Sequence, residues 1–114
     1  MNSIKIERIN SAIVREVSYI LANEVKNQNI KFVTITAAKT SSDLSYCKIY
    51  VTVLDDSMKK EVMEALKGAK GFIRKSLMER IDIRQIPELD FVYDESIEYG
   101  KKIEQKIKEI HEKE

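Results

Sequence analysis

The chain has 114 residues, room for one domain with a single modest core and too few for two. Its 43% apolar and 34% charged residues exclude wholesale disorder, and no apolar run approaches the roughly 20 residues of a membrane helix. The single cysteine, Cys47, excludes an intrachain disulfide, and a net charge of +1 does not by itself point to nucleic acid.

The start, Met1-Asn2-Ser3-Ile4-Lys5, lacks the basic-then-apolar layout of a secretory signal, so a cytoplasmic protein is expected. From about Ile4 to Lys26 the apolar positions Ile6, Ile9, Ile13, Val17, Ile20, Leu21 and Val25 recur in steps of three and four, which predicts an amphipathic helix capped by Asn2 or Ser3. Lys26 to Asn29 is a polar break. Phe32 to Lys39 then alternates, with Val33, Ile35 and Ala37 on one side and Thr34 and Thr36 on the other. Thr40 to Ser45 is turn chemistry, Asp43 included. Tyr46 to Val53 alternates again: Cys47, Ile49, Val51 and Val53 share a dry face, Lys48 and Tyr50 a wet one. The two segments predict an antiparallel hairpin.

Asp55-Asp56-Ser57 supplies a cap for the next helix. Its stripe of Met58, Val62, Ala65, Leu66, Ala69, Ile73 and Leu77 runs to about Ile81 across Gly68 and Gly71. Each glycine costs a helix interior about 1 kcal/mol relative to alanine. Two of them, three residues apart, predict two helices joined by a sharp kink. Pro87 stops helix at Ile86 and leads into a third strand, where Leu89, Phe91 and Tyr93 alternate with Asp90, Val92 and Asp94. Asp94 or Ser96 can cap a last helix with the thin stripe Ile103, Ile107, Ile110. The expected fold is a two-layer α+β domain: helix, strand, strand, kinked helix pair, strand, plus a C-terminal helix, on a three-stranded mixed sheet.

The near-neutral total conceals a segregation of charge. Residues 67–84 carry six basic groups (Lys67, Lys70, Arg74, Lys75, Arg80 and Arg84) against Glu79 and Asp82, whereas residues 94–114 carry seven acids against five lysines. On an ideal helix Lys67, Lys70 and Arg74 fall within roughly a sixth of the circumference. Beside a glycine kink that lets backbone N–H groups approach closely, they suit RNA phosphates; the plainer reading is a solvated helix face. Lys5, Arg8 and Arg15 form a second basic line on the first helix, where Glu7 and Glu16 offer ion pairs instead. No nucleophile with its base, paired catalytic carboxylates or cofactor motif is visible. Gly68-Ala69-Lys70-Gly71 is not a phosphate-binding P-loop, since no Gly-Lys-Ser/Thr follows it. Cys47 and His111 lie too far apart to suggest zinc, and Cys47 reads as a small core residue. No enzyme, cofactor, metal or small-molecule substrate is therefore expected, nor anything beyond a monomer.

Three stretches carry a family resemblance: Ser42-Asp43-Leu44 followed by Lys48-Ile49-Tyr50-Val51; Ala69-Lys70-Gly71-Phe72-Ile73-Arg74; and Ile83-Arg84-Gln85-Ile86-Pro87-Glu88-Leu89-Asp90-Phe91-Val92-Tyr93-Asp94. With Arg8-Ile9 and Glu24-Val25-Lys26 in the first helix, the chain resembles the ribosome-binding factor A family over roughly residues 4–100. The resemblance implies a type II KH-like RNA-binding domain over 1–95; the residues that follow, 96–114, read by their own pattern as a charged helical tail that matches the family less well. The resemblance also implies an Ala-x-Gly kink at Ala69-Lys70-Gly71 in place of the usual Gly-x-x-Gly loop. Here Gly68 also precedes it, so the literal Gly-x-x-Gly reading stays open. It further implies binding to the small (30S) ribosomal subunit and its 16S rRNA during late maturation and rRNA processing, importance in the cold, and RNA contact at the first helix. A protein-interaction module, or a general single-stranded-RNA-binding KH domain, is the alternative.

Overall fold

The computed structural model describes residues 3–30 and 32–96, which form helix α1 (Ser3–Asn23), strands β1 (Val33–Thr40) and β2 (Tyr46–Val53), helix α2 (Lys59–Arg80) and strand β3 (Glu88–Tyr93). One-turn 3-10 helices at Gln28–Ile30 and Asp56–Met58 lead into β1 and α2. The tail helix expected over Ile103, Ile107 and Ile110, and the cap at Asn2, lie outside the described residues.

The strands lie in the order β1-β2-β3. β1 pairs antiparallel with β2, and β3 runs parallel to β2 with Ile49 opposite Phe91. The sheet is therefore mixed, as expected, because the β2-to-β3 connection carries a helix across the sheet and returns the chain in the same direction. The Asp43 carboxylate closes the hairpin by accepting from the Ser41 and Ser45 hydroxyls and the Ser45 N–H.

Period 2 in β2 sends Cys47, Ile49, Val51 and Val53 into the interior, and β3 adds Leu89 and Phe91. Steps of three and four do the same for Ile9, Ile13, Val17, Ile20 and Leu21 of α1 and for Val62, Leu66, Ile73 and Leu77 of α2. All join one core between the two helices and one face of the sheet, with α1 over β1 and α2 toward β3. Burial pushes the Cys47 thiol up, which suits an inert core residue.

Two expectations need correction. Alternation in β1 predicts Ala37 inside, but the register shifts between Ile35 and Ala37, and Ala38 is the buried residue. A bulge at Thr36 inserts one extra residue and reverses the faces beyond it. The Thr36 hydroxyl is held there by the Tyr50 carbonyl and by Asp94, 2.6 Å away. Second, the kinked helix pair expected around Ala69-Lys70-Gly71 is one unbroken helix of 22 residues. Neither Gly68 nor Gly71 adopts positive φ. Leu66 and Ile73, both fully buried on the same stripe, hold α2 on the sheet across the glycines, so packing outweighs their low propensity.

Asp55 accepts from the Ser57 N–H and so caps the 3-10 turn that leads into α2, whereas α2 itself starts after Met58 with no side-chain cap. The helices are joined along their contact by a polar clamp. Glu24 of the α1 exit accepts from Ser76 and Arg80, and the Arg80 guanidinium also reaches Glu16 and lies 4.3 Å over the Tyr19 ring. The Ser76 hydroxyl and then Arg80 hold the Glu24 carboxyl below the usual carboxylate range.

Candidate functional site

Lys70 and Arg74 are one helical turn apart on the side of α2 that looks toward the start of β3. Together with Gly71 they form one wall of a cleft of about 400 Å³, whose other lining is Ser45, Gln85, Glu88 and Leu89. Two contacts fix the walls. Arg74 Nη2 donates to the Ile86 carbonyl at 2.9 Å, and the Glu88 N–H donates to the Ser45 carbonyl at 3.0 Å. The first ties the helix to the segment that precedes β3, and the second ties that segment to the β1–β2 turn. Pro87, fully buried, sits between them and starts the strand in register. Across the cleft Lys70 Nζ stands 4.0 Å from the Glu88 carboxylate, a loose and partly solvated pair.

Gly71 lies among these groups with open space where a side chain would be: a Cβ there, or at Gly68, would meet nothing within 4 Å. The two glycines therefore do not serve close packing inside the described structure. What they leave is bare helix backbone beside two cations, a surface that a phosphodiester chain can approach closely.

The other basic residues singled out in the sequence are distributed differently. Lys67 is exposed one turn before Lys70, on the same side of α2. Lys75 and Arg84 are exposed, the first on α2 and the second in the connection to β3, and neither lines the cleft. Arg80 is engaged in the interhelical clamp with Glu24 and Glu16, and Glu24 holds its guanidinium even more firmly protonated than usual. Lys5, Arg8 and Arg15 are exposed along α1. Arg15 pairs with its neighbour Glu16 at 3.4 Å and borders a separate shallow depression with Asn10, Thr36 and Ala38, on the β1 side of the molecule. The fold thus gathers Lys70 and Arg74 at the β3 side and leaves the α1 basic line on the opposite flank.

Ser45, Gln85 and Glu88 carry no signal in the sequence that assigns them to the site. Gln85 and Glu88 fall within the third of the family-like stretches, but nothing local separates them from strand-flanking polar residues. Only the parallel return of β3 beside β2 carries them to Lys70. Among the described residues no group of three or more His, Cys, Asp or Glu side chains is placed to hold a metal ion. No helix among them is long and apolar enough to cross a membrane.

Comparison with known proteins places these features in context. A family model described as ribosome-binding factor A matches residues 5–107. A relative of that name from Staphylococcus epidermidis is 46% identical over 112 residues, covering 97% of each chain. The crystal structure of ribosome-binding factor A from Thermus thermophilus superimposes with a TM-score of 0.66 at 23% identity, over 75% of this chain and 92% of that one. A second set of Thermus thermophilus ribosome binding factor A coordinates, a homology model fitted into the cryo-electron microscopy map of its complex with 30S, aligns with a TM-score of 0.59 at 20% identity. That alignment covers 82% of this chain and 91% of the other.

Proposed function

The chain belongs to the ribosome-binding factor A family, and on that premise we propose that it is a cytoplasmic assembly factor acting on the small ribosomal subunit through its 16S rRNA. It works by binding, not by catalysis, as a KH-like module that holds or protects an immature RNA conformation late in maturation. The observation that carries this reading is the cleft itself, with Lys70 and Arg74 framing exposed helix backbone at Gly71. Cations at such a surface neutralise phosphates while the glycines let the RNA backbone come near. The 30S complex described for the Thermus thermophilus protein supports the same partner.

Co-sedimentation with free small subunits, large subunits and intact ribosomes across a salt series tests this directly. Salt-sensitive enrichment on free small subunits is expected, and the double variant Lys70→Glu, Arg74→Glu should lose it while keeping its circular dichroism. Each phosphate contact removed should lower the magnitude of the salt slope by about one. Undiminished binding by that variant sinks the site assignment.

A protein-contact reading has one observation in its favour. Phe32, 73% exposed with its backbone in the left-handed region (φ 68°), stands beside Leu54, which is 80% exposed. A bulky residue held there stores about 1–3 kcal/mol of strain, and an exposed apolar pair is a common interface feature. Docking through that pair would be nearly indifferent to salt, so the same series separates the two readings.

A further inference from the structure

A cleft built only to hold phosphate would be lined by donors. This one sets two cations on the α2 wall against a carboxamide and a carboxylate, Gln85 and Glu88, on the other. The Lys70–Glu88 contact that bridges them is at the limit of an ion pair, and the Glu88 side chain keeps 71% of its exposure. So weak and solvated a pair is readily exchanged for other partners. Arg74 is anchored differently. One Nη2 bond to the Ile86 carbonyl fixes the guanidinium at the cleft, and the group carries five N–H donors in all.

From this arrangement we infer that the cleft takes one unpaired guanine nucleotide, with Lys70 and Arg74 on its phosphate and Glu88 reading its base edge. The inference rests on the RNA reading given above. An ionised carboxylate only accepts hydrogen bonds. Guanine presents two neighbouring donors, N1–H and the N2 amino group, which match the two carboxylate oxygens. Adenine and cytosine offer one amino group on that edge and uracil one N–H. Gln85, on the same wall, can donate its amide to guanine O6. Open space above Gly71 lets the backbone of that nucleotide come close to α2 while its base reaches the opposite wall, and about 400 Å³ is within the usual range for a small-ligand site. The base must be unpaired, because this contact uses its Watson–Crick edge.

The test is a fluorescence anisotropy titration of the full chain with three oligouridines that differ at one central residue: guanosine, inosine or adenosine. Guanosine is expected to bind about tenfold tighter than inosine, which lacks the N2 amino group, or adenosine. Glu88→Gln should reduce that ratio below about threefold with an unchanged circular dichroism spectrum, and Lys70→Glu should weaken binding to all three. Equal binding of the three RNAs, or a guanosine preference that survives Glu88→Gln, overturns the guanine assignment. If Lys70→Glu still weakens binding in that case, the RNA cleft itself stands. Indifference to Lys70→Glu overturns both.

Discussion

In the turn between β1 and β2, Asp43 accepts three hydrogen bonds from Ser41 and Ser45, and these hold its carboxyl down to about 2 from an ordinary 3.8. A depressed carboxyl stabilises the fold fully above its ordinary value, and that contribution is lost as pH falls through the folded value. The stability gap between the wild type and Asp43→Asn should therefore be largest above about pH 4 and shrink as pH falls toward 2. Urea unfolding at several pH values checks this; a gap that stays constant would show that the charge is not its source. Arg80 carries the complementary lesson. Its sequence neighbourhood suggests a free RNA contact, but the fold places Glu24, Glu16 and Tyr19 around it. A basic residue's role is set by the carboxylates that other elements bring to it, and sequence spacing within one helix does not show them.

At the scale of elements, α2 sets a local preference against a global one. Gly68 and Gly71 disfavour helix locally, but the buried stripe on either side keeps the helix continuous. Because neither glycine has positive φ and both have open space at Cβ, alanine fits at both sites. Gly68→Ala and Gly71→Ala should each raise stability by about 0.4–1 kcal/mol, partly by restricting the unfolded chain. Both should weaken binding to small subunits, since the added methyl stands where the RNA backbone approaches. Urea midpoints together with sedimentation measure the two effects. A stabilised variant that binds as well as the wild type would remove the glycines from the RNA surface. The β1 bulge works in the other direction: period 2 alone puts Ala37 inside, and one extra residue at Thr36 gives that position to Ala38.

Across the whole molecule, β2 is the strand on which everything else depends. It is central in the sheet, pairs with both neighbours, and lies under the helices with Cys47, Ile49 and Val51 fully buried. Ile49→Ala should cost about 2–5 kcal/mol, because the transfer term and the residual cavity add in a closely packed centre. Equilibrium urea unfolding measures it, and a loss below about 1 kcal/mol would mean that the core relaxes into the gap. The same centrality serves the site, since α2 walls the cleft together with the start of β3, and β3 is held in place by its parallel pairing with β2. Loosening that strand should weaken RNA binding without touching a contact residue.

Element types, their order and most inward-facing positions were legible in the sequence, because periods of 2 and 3.6 are local properties that burial selects residue by residue. The β2 alternation and the α1 stripe are direct cases. The family was legible as well, since its motifs survive as short contiguous stretches. The tertiary structure alone decided which cations share a surface. It brought Gln85 and Glu88 to Lys70 across a parallel strand return, committed Arg80 to an interhelical clamp, and parted the α1 basic line from the α2 pair. Those relations depend on where elements dock, and docking is settled by the summed burial of many distant side chains, which no local spacing encodes.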